Sequence, residues 1–429
     1  MLVSCKLIFP QATPGSAPPL SLTLKEAVQV ALKQNPQVVI ARLLNLESDR
    51  DRQIRLSGLL PQASVTADIA VKQYNLQAVE YAPKAKAAGP FQYVDAGSVF
   101  SQTLLDLPLI RSYQISGEAT RETRAQENVT REDITAVVVT QYLLVLRAEA
   151  IRDAARARVG LAQRLFEQAS NLQKTGIGLN IDATRAQVEL QNERQSLIDA
   201  ETLVHTTTYV LAELLDLPRD QEVLLADHLQ FFDLPAYERE ASINSALAKR
   251  PEMQALASQE RIVLLQRKSD VEERLPRIEF SGTWLYQGAH FTDSIPAYTY
   301  LVGLDVPLFT GGRIQAEVAR ANLEQKRIEQ NRQILEARIV REVKSAIDEL
   351  KSARAAVDVA NFGLKLANEE VEQAQRRFQA GVTTNVEVVT AQDALARANA
   401  NQIEALYRFN QSRTNLARAL GEVENTYAR

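Results

Sequence analysis

Cysteine occurs once in this 429-residue sequence, at Cys5. A single thiol forms neither an internal disulfide nor a cysteine-based zinc site, which excludes the disulfide-stabilised and zinc-stabilised classes of small domain. A dominant charge of one sign is also missing, because 49 Lys and Arg stand against 53 Asp and Glu, for a net charge of −4. The strongly basic surface of a nucleic-acid-binding protein is therefore not expected, and we predict no nucleic-acid partner.

Catalytic and cofactor-binding motifs are missing as well. The three histidines, His205, His228 and His290, lie far apart in the chain without metal-ligand spacing, so we interpret them as ordinary surface or core residues and expect no metal. The sequence contains no Walker loop, no nucleophile elbow and no dinucleotide-binding fingerprint. It therefore predicts neither a cofactor nor an enzymatic activity.

Residues that break helices are few and clustered. The 16 Gly and 15 Pro leave two long tracts without proline, from about Leu109 to Lys174 and from about Arg313 to Ala380. At 1.5 Å per residue, each tract would extend on the order of 100 Å as a helix. The longest uncharged stretch within these tracts runs from Ile134 to Leu146, which is too short to cross a bilayer as a helix. Any part that spans a membrane is therefore expected to consist of strands.

Residues 1–20 are interpreted as a leader or linker, because Pro10 to Pro19 is rich in Pro, Ala and Ser. Leu2-Val3-Ser4-Cys5 resembles a bacterial lipobox, which would make Cys5 the acylated first residue of the mature protein. The same tetrapeptide also fits a chance match within a disordered leader. The segment lacks the basic start and the long apolar core of a complete secretion signal.

The chain is an internal duplication. Pro36 ends the stretch ALKQNP and Pro251 ends ALAKRP, 215 positions later, and Pro61 and Pro276 keep the same offset. The spacing between matching residues of the two copies changes only between predicted helices and strands, where loops accept insertions. We therefore predict a first repeat at residues 21–218, a linker at 219–240, a second repeat at 241–422 and a tail at 423–429. Each repeat is expected to contain a short helix, two strands and two long helices.

The predicted strand pairs fall at matching places in the two repeats. Residues 63–71, 278–286 and 298–306 alternate between apolar and polar side chains, whereas residues 99–107 alternate poorly. A period of two indicates a sheet with one apolar face. That face fits either a half-buried sheet of a soluble protein or a lipid-facing sheet, and its Trp and Tyr side chains suit a membrane-interface girdle.

The long tracts carry a seven-residue repeat. Large apolar residues recur at every seventh position from Val343 to Phe378, beside a line of alanines from Ala346 to Ala374. Four alanines from Ala148 to Ala169 repeat this pattern 205 positions earlier. A large residue at one seam position and alanine at the other predicts coiled-coil packing with a close approach of the helices.

One glycine interrupts each long helical stretch, and these two glycines, Gly176 and Gly381, also stand 205 positions apart. Glycine permits the positive φ that reverses a chain, so we predict an α-hairpin with its tip at each glycine. Asp182 and Glu387 follow their glycines by six residues in both copies. An acidic residue at that point suits the positive end of the helix dipole.

The sequence resembles the TolC family of outer membrane efflux proteins from about Leu22 to about Glu422. The resemblance rests on the opening LTLKEAVQVALKQNP, the LPQ before the first strand, VPLFTGGR after the last strand, and the two duplicated tips. It implies a mainly α fold with a membrane β-barrel contribution, in which three subunits share a twelve-stranded barrel and a long periplasmic tunnel. The residues themselves predict oligomerisation, because four amphipathic strands cannot close a barrel alone and an open strand edge is not viable in lipid.

The resemblance further implies a location, partners and a docking site. The chain would be the passive exit duct of a tripartite efflux or type I secretion system, placed in the outer membrane with most of its mass in the periplasm. A periplasmic adaptor and an inner-membrane pump would engage it and open its periplasmic end. The residues that match the adaptor-docking tips of the family are Thr175, Gly176, Ile177, Gly178, Ala380, Gly381, Val382 and Thr383.

A gate is implied by the same resemblance. Glu387 occupies the position of an acidic ring of the family and Asp182 that of a residue that links helices there. Thr383 and Phe378 replace the basic and tyrosine partners of that link, and Thr390 carries no charge where a second ring would lie. Glu387 from each of three subunits could still form an acidic constriction that favours cations. The alternative for both carboxylates is simple compensation of the helix dipole.

A soluble, cytosolic coiled-coil scaffold is the competing interpretation, because charged, alanine-rich heptads are common in such proteins. The duplicated strand pairs argue against it, since a scaffold has no evident need for them. The two interpretations differ in solubility: a scaffold stays in the soluble fraction after lysis, whereas a barrel fractionates with outer membranes.

Overall fold

The computed structural model describes residues 19–76, 87–176, 179–234 and 237–428, so that Cys5, Ile177 and Gly178 lie outside the described residues. Strand β1 (Leu20–Leu22) precedes the first copy of a duplicated set of elements. That copy consists of α1 (Leu24–Gln34), α2 (Pro36–Ser57), β2 (Gln62–Asn75), β3 (Ala87–Leu105), α3 (Leu107–Lys174) and α4 (Asn180–Leu214). After β4 (Val223–Leu225), the second copy consists of α5 (Arg239–Lys249), α6 (Pro251–Glu272), β5 (Arg277–Gly288), β6 (Ile295–Asp305), α7 (Arg313–Gln379) and α8 (Asn385–Leu420). Helix α9 (Val423–Tyr427) follows.

Two helices open each copy, where the sequence had predicted one. Pro36 is the first residue of α2 and Pro251 is the first residue of α6. Proline is favoured at the first helical position, because the N–H that it lacks would have no partner within the helix there. The two prolines therefore begin new helices, and α1 is held at its own start by a capping box between Thr23 and Glu26.

The two strand pairs join into one antiparallel sheet with the order β2-β3-β5-β6. Strand β3 has 19 residues and begins well before the predicted strand at residues 99–107. Within β3, before residues 99–107, lies Gly97, where a Cβ atom would be 2.1 Å from the Trp284 carbonyl oxygen of the adjacent strand. The close approach of β3 to β5 requires glycine at this point, so an alternating side chain is missing there.

One of the two compact units comprises the described parts of Arg42–Gln126 and Glu252–Leu335, and it contains this sheet. Its helical segments are joined by ion pairs between the copies. Arg111 of α3 binds Glu272 of α6 through two parallel hydrogen bonds of 2.8 and 2.7 Å. The hydrogen bonds from Arg111 lower the pKa of the Glu272 carboxyl group. This bidentate geometry holds the two helices in one register.

The other unit comprises the described parts of Met1–Ala41, Glu127–Pro251 and Glu336–Arg429. A hydrophobic core of this unit packs α1, the middle of α3 and the end of α4 together. Tyr142 is fully buried there, and its hydroxyl oxygen lies 2.9 Å from the Leu22 carbonyl oxygen and 2.8 Å from Asp227 Oδ2, the two acceptors available to its one proton. Asp227 also accepts from the Leu24 backbone N–H at the start of α1. These bonds connect the parallel strands β1 and β4 to α3.

The predicted heptad seam is buried. Val343, Val357 and Val371 are at most 5% exposed, and the alanines of the first copy, Ala148 to Ala169, are at most 2% exposed. Toward the tips the four long helices share a core of small and medium side chains, which comprises Leu165, Ala169, Ala183, Ala186, Ala367, Val371, Ala374, Val388, Ala391 and Leu395. Alanine at these positions lets the helices approach closely.

Among the described residues, α3 contains a stretch long and apolar enough to cross a membrane by length and composition. However, 56% of the stretch is buried inside the protein. Because Val138, Val139 and Tyr142 of α3 form part of the core, we assign the apolar run to that core.

Candidate functional site: the hairpin tips and the apolar sheet face

The second hairpin turns at Gly381, as predicted. Its φ is +70°, and a Cβ atom would meet nothing within 4 Å, so the backbone conformation rather than space requires glycine. The Gly381 N–H donates to the Phe378 carbonyl, and the Val382 N–H donates to the Arg377 carbonyl. This pair of bonds is the Schellman motif that ends a helix with a residue of positive φ.

The first hairpin turns at Gly176, with a φ of +77°. The Gly176 N–H donates to the Gln173 carbonyl at 3.0 Å, and the Thr175 hydroxyl donates to the carbonyl of Asn171. Of the predicted docking residues in this tip, Thr175 and Gly176 are exposed. The other two, Ile177 and Gly178, lie outside the described residues.

Exposed apolar side chains surround both tips. Val382, one of the predicted docking residues, is 70% exposed, and Leu179 and Ile181 beside the first tip are 64% and 56% exposed. No periodicity in the sequence marks Leu179 or Ile181, because both flank the turn rather than continue the seam. Apolar side chains left in water at both tips form a surface suited to a protein partner.

The Glu387 carboxylate is paired within its own hairpin. Arg377 Nε lies 3.3 Å from Glu387 Oε1, and the Thr383 hydroxyl donates to Glu387 Oε2. Glu387 stands in the first turn of α8, where the helix dipole also favours a negative charge. The side chain is 39% exposed, so the charge of the pair faces solvent.

Asp182 lies in the first turn of α4. Arg185, one turn later, places Nη1 3.4 Å from its Oδ1. The backbone carbonyl of Asp182 accepts a hydrogen bond from Asn385 Nδ2 at 2.9 Å, which joins α4 to α8. Neither Arg185 nor Asn385 was among the residues predicted from the sequence.

One face of the sheet is apolar and exposed. Val65 is 79% exposed, Tyr298 65% and Val302 65%, although all three are large apolar residues. The register puts them on one face because directly opposed residues of neighbouring strands share a face. The other exposed large side chains of this face are Ile69, Val71, Phe100, Trp284, Tyr286, Tyr300 and Leu304.

The opposite face of the sheet is mostly polar, although Leu301, which is opposed to Ser281, is 58% exposed there. Cross-strand neighbours there include Thr283 with Thr299, and Asp68 with Asp95. The Tyr93 hydroxyl donates to Asp95 at 3.2 Å on the same strand. The sheet thus presents an apolar side and a water-compatible side, as the period-two pattern predicted.

The histidines form no metal site in the described part of the chain, where no group of three His, Cys, Asp or Glu side chains is placed to hold an ion. His205 stacks on Tyr209 with ring centres 6.5 Å apart, and His290 lies 3.7 Å from an oxygen of Asp293. These are contacts with neighbours along the chain.

The second repeat matches a family model. The model for the outer membrane efflux protein family aligns with residues 242–422. Over an alignment of 423 residues, the chain is 23% identical to the outer membrane protein TolC of Vibrio cholerae, covering 93% of this chain and 90% of that protein.

Solved structures have the same fold. The chain resembles the CmeC outer membrane channel of Campylobacter jejuni with a TM-score of 0.81 at 16% identity, covering 93% of this chain and 85% of that one. It resembles the open state of the MtrE outer membrane channel of Neisseria gonorrhoeae with a TM-score of 0.80 at 16% identity, covering 95% and 90%. These matches confirm the predicted fold class and the resemblance to the TolC family. They are matches to channel proteins rather than to enzymes.

Proposed function

We propose that this chain, a relative of the outer membrane efflux proteins of the TolC family, is one subunit of an outer membrane channel continuous with a periplasmic tunnel. It acts as the passive exit duct of a tripartite efflux or type I secretion system. The sheet lies in the outer membrane and the long hairpins extend into the periplasm. No nucleotide-binding motif occurs in the sequence, so the energy for transport comes from an inner-membrane pump.

The exposed apolar face of the sheet carries this proposal. Aromatic and aliphatic side chains that are more than half exposed, such as Val65, Tyr298 and Val302, would be unfavourable in water over so large a patch. Lipid covers such a face without cost, while the polar face lines a water-filled bore. A soluble scaffold offers no cover for this face, so the alternative interpretation is not favoured.

Trimer formation is supported by the open edges of the sheet. Among the described residues, strands β2 and β6 each have a partner on one side only. An unpaired strand edge within lipid leaves backbone N–H and carbonyl groups without hydrogen bonds. Three copies, joined β6 to β2, close the edges into the twelve-stranded barrel that the family resemblance implies.

The hairpin tips are proposed as the docking surface for a periplasmic adaptor. The set comprises Thr175, Gly176, Ile177, Gly178, Ala380, Gly381, Val382 and Thr383. The exposed apolar side chains of Leu179, Ile181 and Val382 support it, since they supply contact area for a partner helix. Thr383 is directed at Glu387 instead, and so acts through that carboxylate.

Glu387 and Asp182 are proposed as gate residues. Three copies of Glu387 around a common axis would form an acidic constriction that favours cations. The ion pair with Arg377 offsets part of that charge. Asp182 takes part through its backbone carbonyl as well as its carboxylate.

Acylation of Cys5 remains a proposal from the tetrapeptide alone, since that residue lies outside the described part of the chain. A lipid on this thiol would anchor the subunit to the membrane surface. Mass spectrometry of the N-terminal peptide from membrane-extracted protein distinguishes an acylated Cys5 from a chance motif.

Two measurements test the duct. After lysis without detergent, the protein is expected in the outer membrane fraction and is released by detergent. The purified protein should then conduct ions across a planar lipid bilayer. Recovery of the protein in the soluble fraction, together with silent bilayers, would reject the proposal in favour of the scaffold.

A further inference from the structure

The two repeats place an asparagine at the same point of their second long helix. Asn180 is the first residue of α4 and Asn385 is the first residue of α8, 205 positions apart. Asn180 is exposed and accepts a hydrogen bond from Gln173 of its own hairpin at 2.8 Å. Asn385 is 0% exposed. Equivalent residues therefore have different roles in the two copies.

Both ends of the Asn385 carboxamide bind the other hairpin. Its Nδ2 donates to the Asp182 carbonyl at 2.9 Å, and its Oδ1 accepts from Arg185 Nη1 at 3.1 Å. Arg185 also lies 3.4 Å from the Asp182 carboxylate. Asn385 thus links the first hairpin to the second at the tip end of the shared helical core.

Within the described part of the chain, the Glu387 carboxylate, to which the family motif points, forms no such link between the hairpins. Glu387 is bonded to Arg377 and Thr383, which belong to its own hairpin. Breaking those contacts would change charge at the tip without separating the hairpins.

We propose that Asn385 is the latch that holds the two hairpins of one subunit together at their tips and keeps the duct narrow at that end, with Arg185 as its positioning partner. This inference rests on the proposed function as an exit duct. The latch is reversible because its partners are polar. When the hairpins part, the amide, the carbonyl and the guanidinium each gain water in exchange for the lost bonds.

A like-charge contact near the latch works in the opposite direction. Burial raises the pKa of Glu189 of α4, and the negative charges of Asp393 of α8 and Glu193 of α4 raise it further. Repulsion between α4 and α8 favours separation of the hairpins, and the two bonds of Asn385 oppose it. Such a balance lets a bound partner shift the equilibrium with little binding energy.

Single-channel recording of reconstituted trimers tests the latch. Asn385→Ala removes both bonds between the hairpins, so the population of open channels should rise about tenfold. Asn180→Ala, the same change at the duplicated position, should leave conductance at the wild-type value. Arg185→Gln changes a partly exposed side chain and should raise the population of open channels less than Asn385→Ala. It tests the link between the hairpins if Asn385→Ala fails to assemble.

The outcomes separate the two proposals. Silent bilayers with wild-type protein would reject the duct itself. Conducting wild-type trimers, with Asn385→Ala and Arg185→Gln indistinguishable from Asn180→Ala, would overturn the latch and leave the duct standing.

Discussion

Trp284 of β5 and Tyr298 of β6 are directly opposed across the sheet, with ring centres 5.8 Å apart, and both rings face outward. Tyr298 continues this row to Tyr300 at 5.9 Å. A cross-strand aromatic pair normally stabilises a sheet by contact between its side chains. Here the rings also remain largely exposed, which is the arrangement expected where amphipathic aromatic rings meet the membrane interface.

A charge on the apolar face should impair membrane insertion. Val302→Lys places an ammonium group among lipid-facing residues at a cost of about 2–4 kcal/mol near the bilayer centre. Thr299→Lys is the matched control on the polar face of the same strand. We expect the yield of trimer folded into lipid vesicles to fall for Val302→Lys only. Equal yields for the two variants would contradict a lipid-facing assignment.

Glycine at the second tip should be required for its backbone conformation. Gly381→Val forces a β-branched residue to positive φ, at a cost of roughly 1–2 kcal/mol. Gly363→Val changes a helical glycine of α7 whose added side chain meets nothing within 4 Å, and should be nearly neutral. Adaptor pull-down should weaken for Gly381→Val while both variants assemble into trimers. Intact adaptor binding by Gly381→Val would count against the tip as the docking surface.

Substitutions of Glu387 and of its partner Arg377 should change the ion selectivity in opposite directions. Glu387→Gln removes a negative charge from the proposed constriction, so the cation-to-anion permeability ratio should fall in planar bilayers. Arg377→Gln removes the offsetting positive charge and should raise that ratio. Glu372→Gln, at an exposed carboxylate of α7 paired with Arg376, serves as the control. If none of the three variants changes the cation-to-anion permeability ratio, Glu387 is not part of the gate.

Thermal stability should change with pH through Glu189. Burial, then the negative charges of Asp393 on α8 and Glu193 on α4, raises the pKa of Glu189, and Arg158 of α3 acts in the opposite direction. An acid with a raised pKa in the folded state loses stability as pH rises above its unfolded value near 4.5, because only the unfolded chain ionises freely. Glu189→Gln should therefore raise the Tm of the trimer at neutral pH, and the gain should vanish near pH ~4.

Glu201→Gln is the control for this experiment, since it removes one negative charge from an exposed site on the same helix. If Glu189→Gln and Glu201→Gln change the Tm equally at every pH, the burial of Glu189 has no role in stability.

The hairpin tips and the seam could be predicted because each depends on local chemistry. Gly176 and Gly381 adopt positive φ, which glycine tolerates best, and the alanine lines keep a strict spacing of seven. The start of β3 could not be predicted, since Gly97 interrupts its alternation to let β5 approach. Pro36 and Pro251 suggested the end of a helix but begin the next one.

The role of Asn385 was also beyond prediction. Asn180 and Asn385 are identical residues at identical helical positions, so no pattern in the sequence distinguishes them. Their difference arises from tertiary packing, which buries one asparagine against the opposite hairpin and leaves the other in water. Contacts of this kind depend on how four helices meet, which sequence periodicity does not specify.

The number of chains in the detergent-purified particle tests the account most directly. Native mass spectrometry should give three chains per particle, because the edges of β2 and β6 that are open in the described structure gain partners when three copies close around a bore, while detergent covers the exposed apolar face. Removal of the detergent should precipitate that particle. A particle of one or two chains that stays dissolved without detergent would contradict the account.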